Sequence, residues 1–282
     1  MHQTNLHNET HRIASNRTCH LLVLEIRNIT NVITIRQLLS HTSGIFNIIS
    51  PSTSPEYFKA ITNDTGRVWT PEELLTYVKK PAFAPGTSWQ YSNTGYVILG
   101  MIIRSATQSS LAENFRARFF EPLELTSTFS SWVEQSDGEM PRGYFDFTFS
   151  GSGRSEDTAN HGAPFVSYYT SRPGSAGIVS TAENIARWMR RLYGGLVISP
   201  DSTTMMTTII PESVDGSSAY GMGTERLQTS KGDFFGHSGG AFGFSSYAVH
   251  SPKHDMTVVV WINENRLDGY CFDMLIALID AL

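Results

Sequence analysis

Apolar residues recur along this chain at helical spacing up to about residue 195 and at strand-like spacing after residue 215. In ITIRQLLSHTSGI (33–45), Thr34 stands three residues ahead of Gln37. That is a capping box in front of Leu38 and Leu39, with Gly44 placed to stop the short helix. Thr70, Pro71 and Glu73 start a second helix, with Leu74, Leu75 and Val78 as its apolar stripe and Pro81 beyond its end. Residues 94–106, TGYVILGMIIRSA, are apolar on nearly every side and predict a buried helix. Ser110 and Glu113 open the next one. Ser180 and Glu183 open a fifth, with Ile185, Trp188, Met189 and Leu192 on one face and Gly194 at its close. Residues 130–175 are rich in Gly, Ser and aromatics without a clear period, and predict long, partly ordered loops.

Beyond 215 the segments SAYGMGTERL, GDFFGH, GFSSYAVH and MTVVVWIN predict strands separated by turn residues, and YCFDMLIALIDAL predicts a closing apolar helix. A helical region followed by an antiparallel sheet flanked by helices is the α+β pattern. No internal repeat and no linker interrupts it. The expectation is one domain over residues 1–282, with an atypical N-terminus (1–32), a mainly helical region (33–195), and a sheet with a terminal helix (196–282).

Composition narrows the function classes. The 282 residues are 40% hydrophobic and 17% charged, with a net charge of −5. That is a globular balance, long enough for a substantial core. No basic block marks a nucleic-acid partner, and no apolar run is long enough to cross a bilayer. The opening MHQTNLHNETHRIASNRTCH has no apolar core, so no signal peptide is expected, and the compartment stays open. Cys19 and Cys271 are too few for a disulfide framework and lack metal spacing; HNETH has ligand spacing but lies in a polar segment. No metal and no other cofactor is expected, only a small-molecule or peptide substrate.

The stretch GHSGG (236–240) fits G-x-S-x-G, the nucleophile elbow. An elbow needs a helix after its serine, then an acid, then a histidine. After Ser238 comes the strand-like GAFGFSSYAVH, and neither Asp nor Glu lies between Ser238 and His250 or His254. The order fails, so Ser238 is not expected to be the nucleophile.

A different set of segments gives a better account. QYSNTGYVILG (90–100), GHSGGAFGF (236–244), ITIRQLLSHTSGI, FAPGTSWQYSN (83–93), EPLELTSTF (121–129), PRGYF (141–145) and SAGIVSTAENIARWM (175–189) occur in the order of a known family. Over roughly residues 33–265 the chain resembles the serine β-lactamase superfamily, in its branch with class C β-lactamases, D-alanyl-D-alanine carboxypeptidases and family VIII esterases. The resemblance implies a β-lactamase/transpeptidase-like fold and acyl transfer through a serine, with relatives often secreted or periplasmic. It implies that Tyr91 relays a proton, given a nearby cation to lower its pKa, and that Asn93 holds the acyl side chain. It implies a strand lining the site, with His237, Ser238, Gly239 and Gly240 at the substrate.

The family nucleophile lies in S-x-x-K. RIAS in HRIASNRTCH (11–20) fits its approach and gives Ser15, but three residues on stands Thr18 instead of lysine. One helical turn from the serine, an amine would accept its proton; a threonine offers no base, and Arg17 does not deprotonate. The backbone N–H groups of Ser15 and Gly240 are the implied oxyanion donors. The family's N-terminal strands are expected to be missing, since only 14 residues precede Ser15. The leading expectation is therefore a serine acyl hydrolase acting on a β-lactam, a D-Ala peptide or a small ester. The competing one, carried by Thr18, is a catalytically impaired pseudoenzyme or binding module.

Overall fold

The computed structural model describes residues 33–49, 54–136, 138–146, 155–161, 166–241, 243–264 and 268–282. The chain divides into two compact units. One comprises Met1–Phe119, Ser130–Val133 and Phe165–Gly177; the other comprises Phe120–Phe129, Glu134–Pro164 and Ile178–Leu282. Ser15, Thr18 and Cys19 lie outside the described residues.

The first unit is helical. It holds α1 (Ile35–Leu39), α2 (Pro55–Asn63), α3 (Pro71–Leu75), α4 (Asn93–Thr107), α5 (Leu111–Phe115) and α6 (Val166–Thr170). The capping boxes expected at Thr34, Thr70 and Ser110 are all formed. Each satisfies two helix-start N–H groups with side chains three residues apart, which is why sequence alone locates them. Two expectations are corrected. Helix α1 ends at Leu39, with Ser40 as its cap and His41 in the left-handed region (φ 58), before Gly44 is reached. Gly44 serves a close approach instead: a Cβ there would stand 2.1 Å from the Phe83 carbonyl oxygen. The span 130–175 is not only loop, because α6 lies within it. Helix α2 was not anticipated. Its signal is Pro55 at the first position followed by Glu56.

In the second unit five strands form an antiparallel meander: β1 (Ser218–Tyr220), β2 (Glu225–Thr229), β3 (Gly232–Ala241), β4 (Phe244–Ser251) and β5 (Met256–Ile262). Helix α7 (Ala182–Tyr193) covers one face. There Tyr193 stacks on His250, and Met189 Cε would stand 2.8 Å from a Cβ built on Gly236. The N-cap of α7 is Thr181, not Ser180; Thr181 Oγ1 accepts from the Asn184 N–H. Helix α8 (Pro200–Thr207) follows and was not anticipated. Helix α9 (Asp268–Ala281) covers the other face. There Leu227, Phe234, Val249, Val258 and Val260 bury against Cys271, Leu275 and Ile279. Apolar residues at alternate positions of the central strands thus meet a helix, as a two-sided sheet requires. Among the described residues no helix is long and apolar enough to cross a membrane.

Candidate active site

Two constellations carry chemistry, one in each unit. In the helical unit, Tyr91 and Asn93 flank the start of α4. Ser92 is its extended N-cap residue (φ −142, ψ 108) and makes no side-chain cap. The capping is done from another part of the chain. Asn47 Oδ1 accepts the Asn93 N–H at 3.2 Å and stands 3.5 Å from Asn93 Nδ2. Thr94 Oγ1 donates to the Phe46 carbonyl and accepts the Ile48 N–H. His41 completes the clamp. Its carbonyl accepts the Gln90 N–H and its Nδ1 accepts the Ser92 N–H at 3.1 Å. An Nδ1 that accepts leaves the ring proton on Nε2. The imidazole is 1% exposed and lies 4.3 Å from the Tyr91 ring. HTSGIFNI therefore exists to hold YSN in place, a relation that spans about fifty positions and is invisible to local pattern.

Arg172 adds a charge to this unit. Its side chain is buried, with the guanidinium 3.2 Å from the Tyr168 ring. Nε and Nη2 have no hydrogen-bond partner among the described residues. Burial pulls its pKa down to about 10, opposed by the electrostatic influence of the Tyr57 and Tyr91 phenols. That fall disfavours the charged form by about 3 kcal/mol. At neutral pH the group is still a cation, and its field favours a phenolate at either ring. At Tyr57 desolvation wins and the pKa rises, despite Arg172 and the hydrogen bond with Ser171.

In the sheet unit, β2 pairs with β3 only as far as Glu225 opposite Gly236. From His237 onward, among the described residues, β3 pairs only with β4. Strand N–H groups alternate between edges, so Gly236, Ser238 and Gly240 aim theirs toward the β2 side. The Ser238 N–H does so, donating to Glu225 Oε2 at 3.1 Å. Ser238 Oγ donates to Glu225 Oε1 at 2.8 Å. His237 turns inward: its Nδ1 is 2.5 Å from the Ser238 carbonyl, and Tyr220 Oη is 2.9 Å from its Nε2. A carbonyl only accepts, so Nδ1 bears the proton of that hydrogen bond. His237 Nδ1 also stands 3.7 Å from Glu225 Oε1. Gly239 and Gly240 are exposed, and nothing lies within 4 Å of a Cβ built on Gly240. Ser238 sits inside a strand and is followed by another strand, which is not the setting of an elbow.

Sequence reasoning missed Tyr220, Glu225, Arg172 and His41. For Glu225 a signal was present: the turn around Ser230 and Lys231 sets a hairpin register that brings residue 225 opposite 236.

The comparisons agree with this architecture. A family model described as Beta-lactamase matches residues 26–277. The chain is 26% identical over 254 residues to Penicillin-binding protein 4* of Bacillus subtilis, covering 84% of this chain and 53% of that protein. It is 26% identical over 242 residues to Protein flp of Staphylococcus aureus, covering 83% and 43%. The chain thus spans about half the length of the curated relatives it matches. Among solved structures, a D-stereospecific amidohydrolase from Streptomyces sp. superposes with a TM-score of 0.78 at 23% identity, covering 92% of this chain and 77% of that one. D-amino acid amidase from Ochrobactrum anthropi SV3 gives 0.76 at 20% identity, covering 99% and 80%. With an α+β fold shared with those structures and a family match running through both YSN and HSGG, the chain belongs to the Beta-lactamase family.

Proposed function

We propose that this chain, acting as one β-lactamase-related domain over residues 1–282, is a serine acyl hydrolase that opens an amide or ester through an acyl-enzyme. The substrate class is a β-lactam, a peptide ending in D-alanine, an amino acid amide or a small ester. Ser15 Oγ attacks the carbonyl carbon, and Tyr91 takes its proton and passes it to the leaving amine or alcohol. The N–H groups of Ser15 and Gly240 receive the oxyanion. Asn93 holds the acyl side chain, and His237, Ser238 and Gly239 line the substrate. Water then attacks the ester and returns Ser15 to its free form. Arg172 is assigned the part of the cation that Tyr91 needs, since position 18 holds threonine.

The observation that supports this reading is the edge of β3 beyond Gly236, which no described strand pairs on the β2 side, and where a Cβ built on Gly240 would have nothing within 4 Å. A paired edge there would leave an acyl group no donors. The second reading, a binding module without turnover, is favoured by Thr18.

Mass spectrometry after incubation with a penicillin and, separately, with a serine-directed phosphonate separates them. The hydrolase reading expects one adduct, mapped to Ser15. An adduct on Ser238 revives the elbow, and the absence of any adduct leaves the binding module.

A further inference from the structure

The open edge of β3 is not empty of charge. Glu225 is the first residue of β2, and its backbone pairs with Gly236. Its side chain runs forward along the edge, past the last ladder pair, to Ser238. There the carboxylate takes two donors at once, the Ser238 N–H at 3.1 Å and the Ser238 hydroxyl at 2.8 Å. A backbone N–H and a hydroxyl aimed together form a two-point cradle for a carboxylate. In this chain the cradle is filled by the chain's own carboxylate. The occupant is reachable: the side chains of Glu225 and His237 are 31% and 34% exposed.

Two consequences follow from charge alone. A substrate carboxylate arriving here meets donors already engaged and a like charge in contact range, which repels it. A protonated amine meets an acceptor whose outer face is still open to solvent, and gains a charge-assisted hydrogen bond there.

We propose that Glu225 is a specificity-determining residue that makes the β3 edge select amides and esters bearing a free amine beside the reacting carbonyl, and reject those bearing a carboxylate there. This rests on the acyl-hydrolase reading and names the substrate class of that site: amino acid amides and esters with a free amine, in preference to acyl donors whose amine is capped by a group that ends in a carboxylate.

The test uses a matched pair and two readouts. The pair is D-alanine p-nitroanilide, with a free amine, and succinyl-D-alanine p-nitroanilide, with a carboxylate. Binding is followed by the amide resonance of Ser238 in the full-length protein, which needs no turnover. Hydrolysis is followed by release of p-nitroaniline. The wild type should bind the amine compound about tenfold or more tightly, with the Ser238 resonance moving. Glu225→Gln keeps an acceptor for the Ser238 N–H and removes the charge. It should cut the preference by about tenfold or reverse it, and any change in hydrolysis should appear in KM rather than kcat. Equal binding of the two compounds by the wild type overturns the proposal even if the variant fails to fold. So does an unchanged preference in a folded Glu225→Gln. If the binding preference switches while neither protein releases p-nitroaniline, the charge filter stands and the hydrolase reading falls. If both proteins hydrolyse the pair with the same ratio, the hydrolase reading stands and the filter falls.

Discussion

Arg172 shows how a single residue can serve chemistry at the expense of stability. A buried guanidinium with two nitrogens unpartnered among the described residues, and stacked on Tyr168, carries a desolvation cost. Its assigned use is to favour the Tyr91 phenolate. Arg172→Met keeps the length and apolar stem while removing the charge. By thermal denaturation the variant should be no less stable than the wild type, and up to about 2 kcal/mol more stable. In hydrolysis the opposite holds. A base must be deprotonated to act, so loss of the cation should move the rising limb of kcat/KM to higher pH and lower the rate at neutral pH. An unmoved limb in a folded variant would remove Arg172 from the mechanism. At this scale the sequence was legible where a role rides on a local motif. Tyr91, Asn93 and the 237–240 run were singled out as candidates on that basis, and their roles remain part of the proposal. It was mute where a role depends on distant partners: the His41 ring lies against a segment 51 positions away, and Ser238 meets Glu225 across 13.

Elements were legible in proportion to how local their signals are. The boxes at Thr34, Thr70 and Ser110 involve side chains three residues apart and could be read directly. The α7 start was misplaced by one residue because Ser180 and Thr181 are both competent caps. The structure gives Thr181 the N-cap bond and sets Ser180 Oγ against Thr128 Oγ1 instead. Helices α2 and α8 lack a capping-box glutamate and were missed; each opens on a Ser-Pro step. Strand β3 lies against α7 at Gly236. A Cβ there would stand 1.9 Å from the Ala248 carbonyl oxygen and 2.8 Å from Met189 Cε. The first neighbour is backbone in the adjacent strand and cannot yield without parting the ladder. Gly236→Ala should therefore cost about 3 kcal/mol or more in urea unfolding. Gly240→Ala, with open space around it, should stay within about 0.5 kcal/mol of the wild type. Comparable losses from both would mean that the close contact of β3 with its neighbours is not what demands glycine.

At the scale of the whole molecule, fold and chemistry separate. The family match covers residues 26–277, and the segments that carry the resemblance recur in order along it. The proposed nucleophile, Ser15, and Thr18, which stands where the S-x-x-K motif has lysine, fall before that span. The sequence exposes this because S-x-x-K is a local motif in which one changed residue is plain. Loss of a general base costs on the order of 10²–10⁴ in rate, about 3–5 kcal/mol of barrier. Wild-type turnover of nitrocefin and of p-nitrophenyl butyrate should accordingly be slow. Thr18→Lys should raise it by supplying the amine that the S-x-x-K motif has three positions after its serine, able to accept the hydroxyl proton. The gain should be partial, because a misplacement of about 1 Å at the reacting atoms can itself cost about 10²-fold. Circular dichroism on both proteins keeps a folding change from being counted as chemistry. Ordinary hydrolase rates in the wild type, abolished by Ser15→Ala, would show that Tyr91 suffices as base with Arg172 as its cation. Rates indifferent to Ser15→Ala would move the nucleophile elsewhere in the chain.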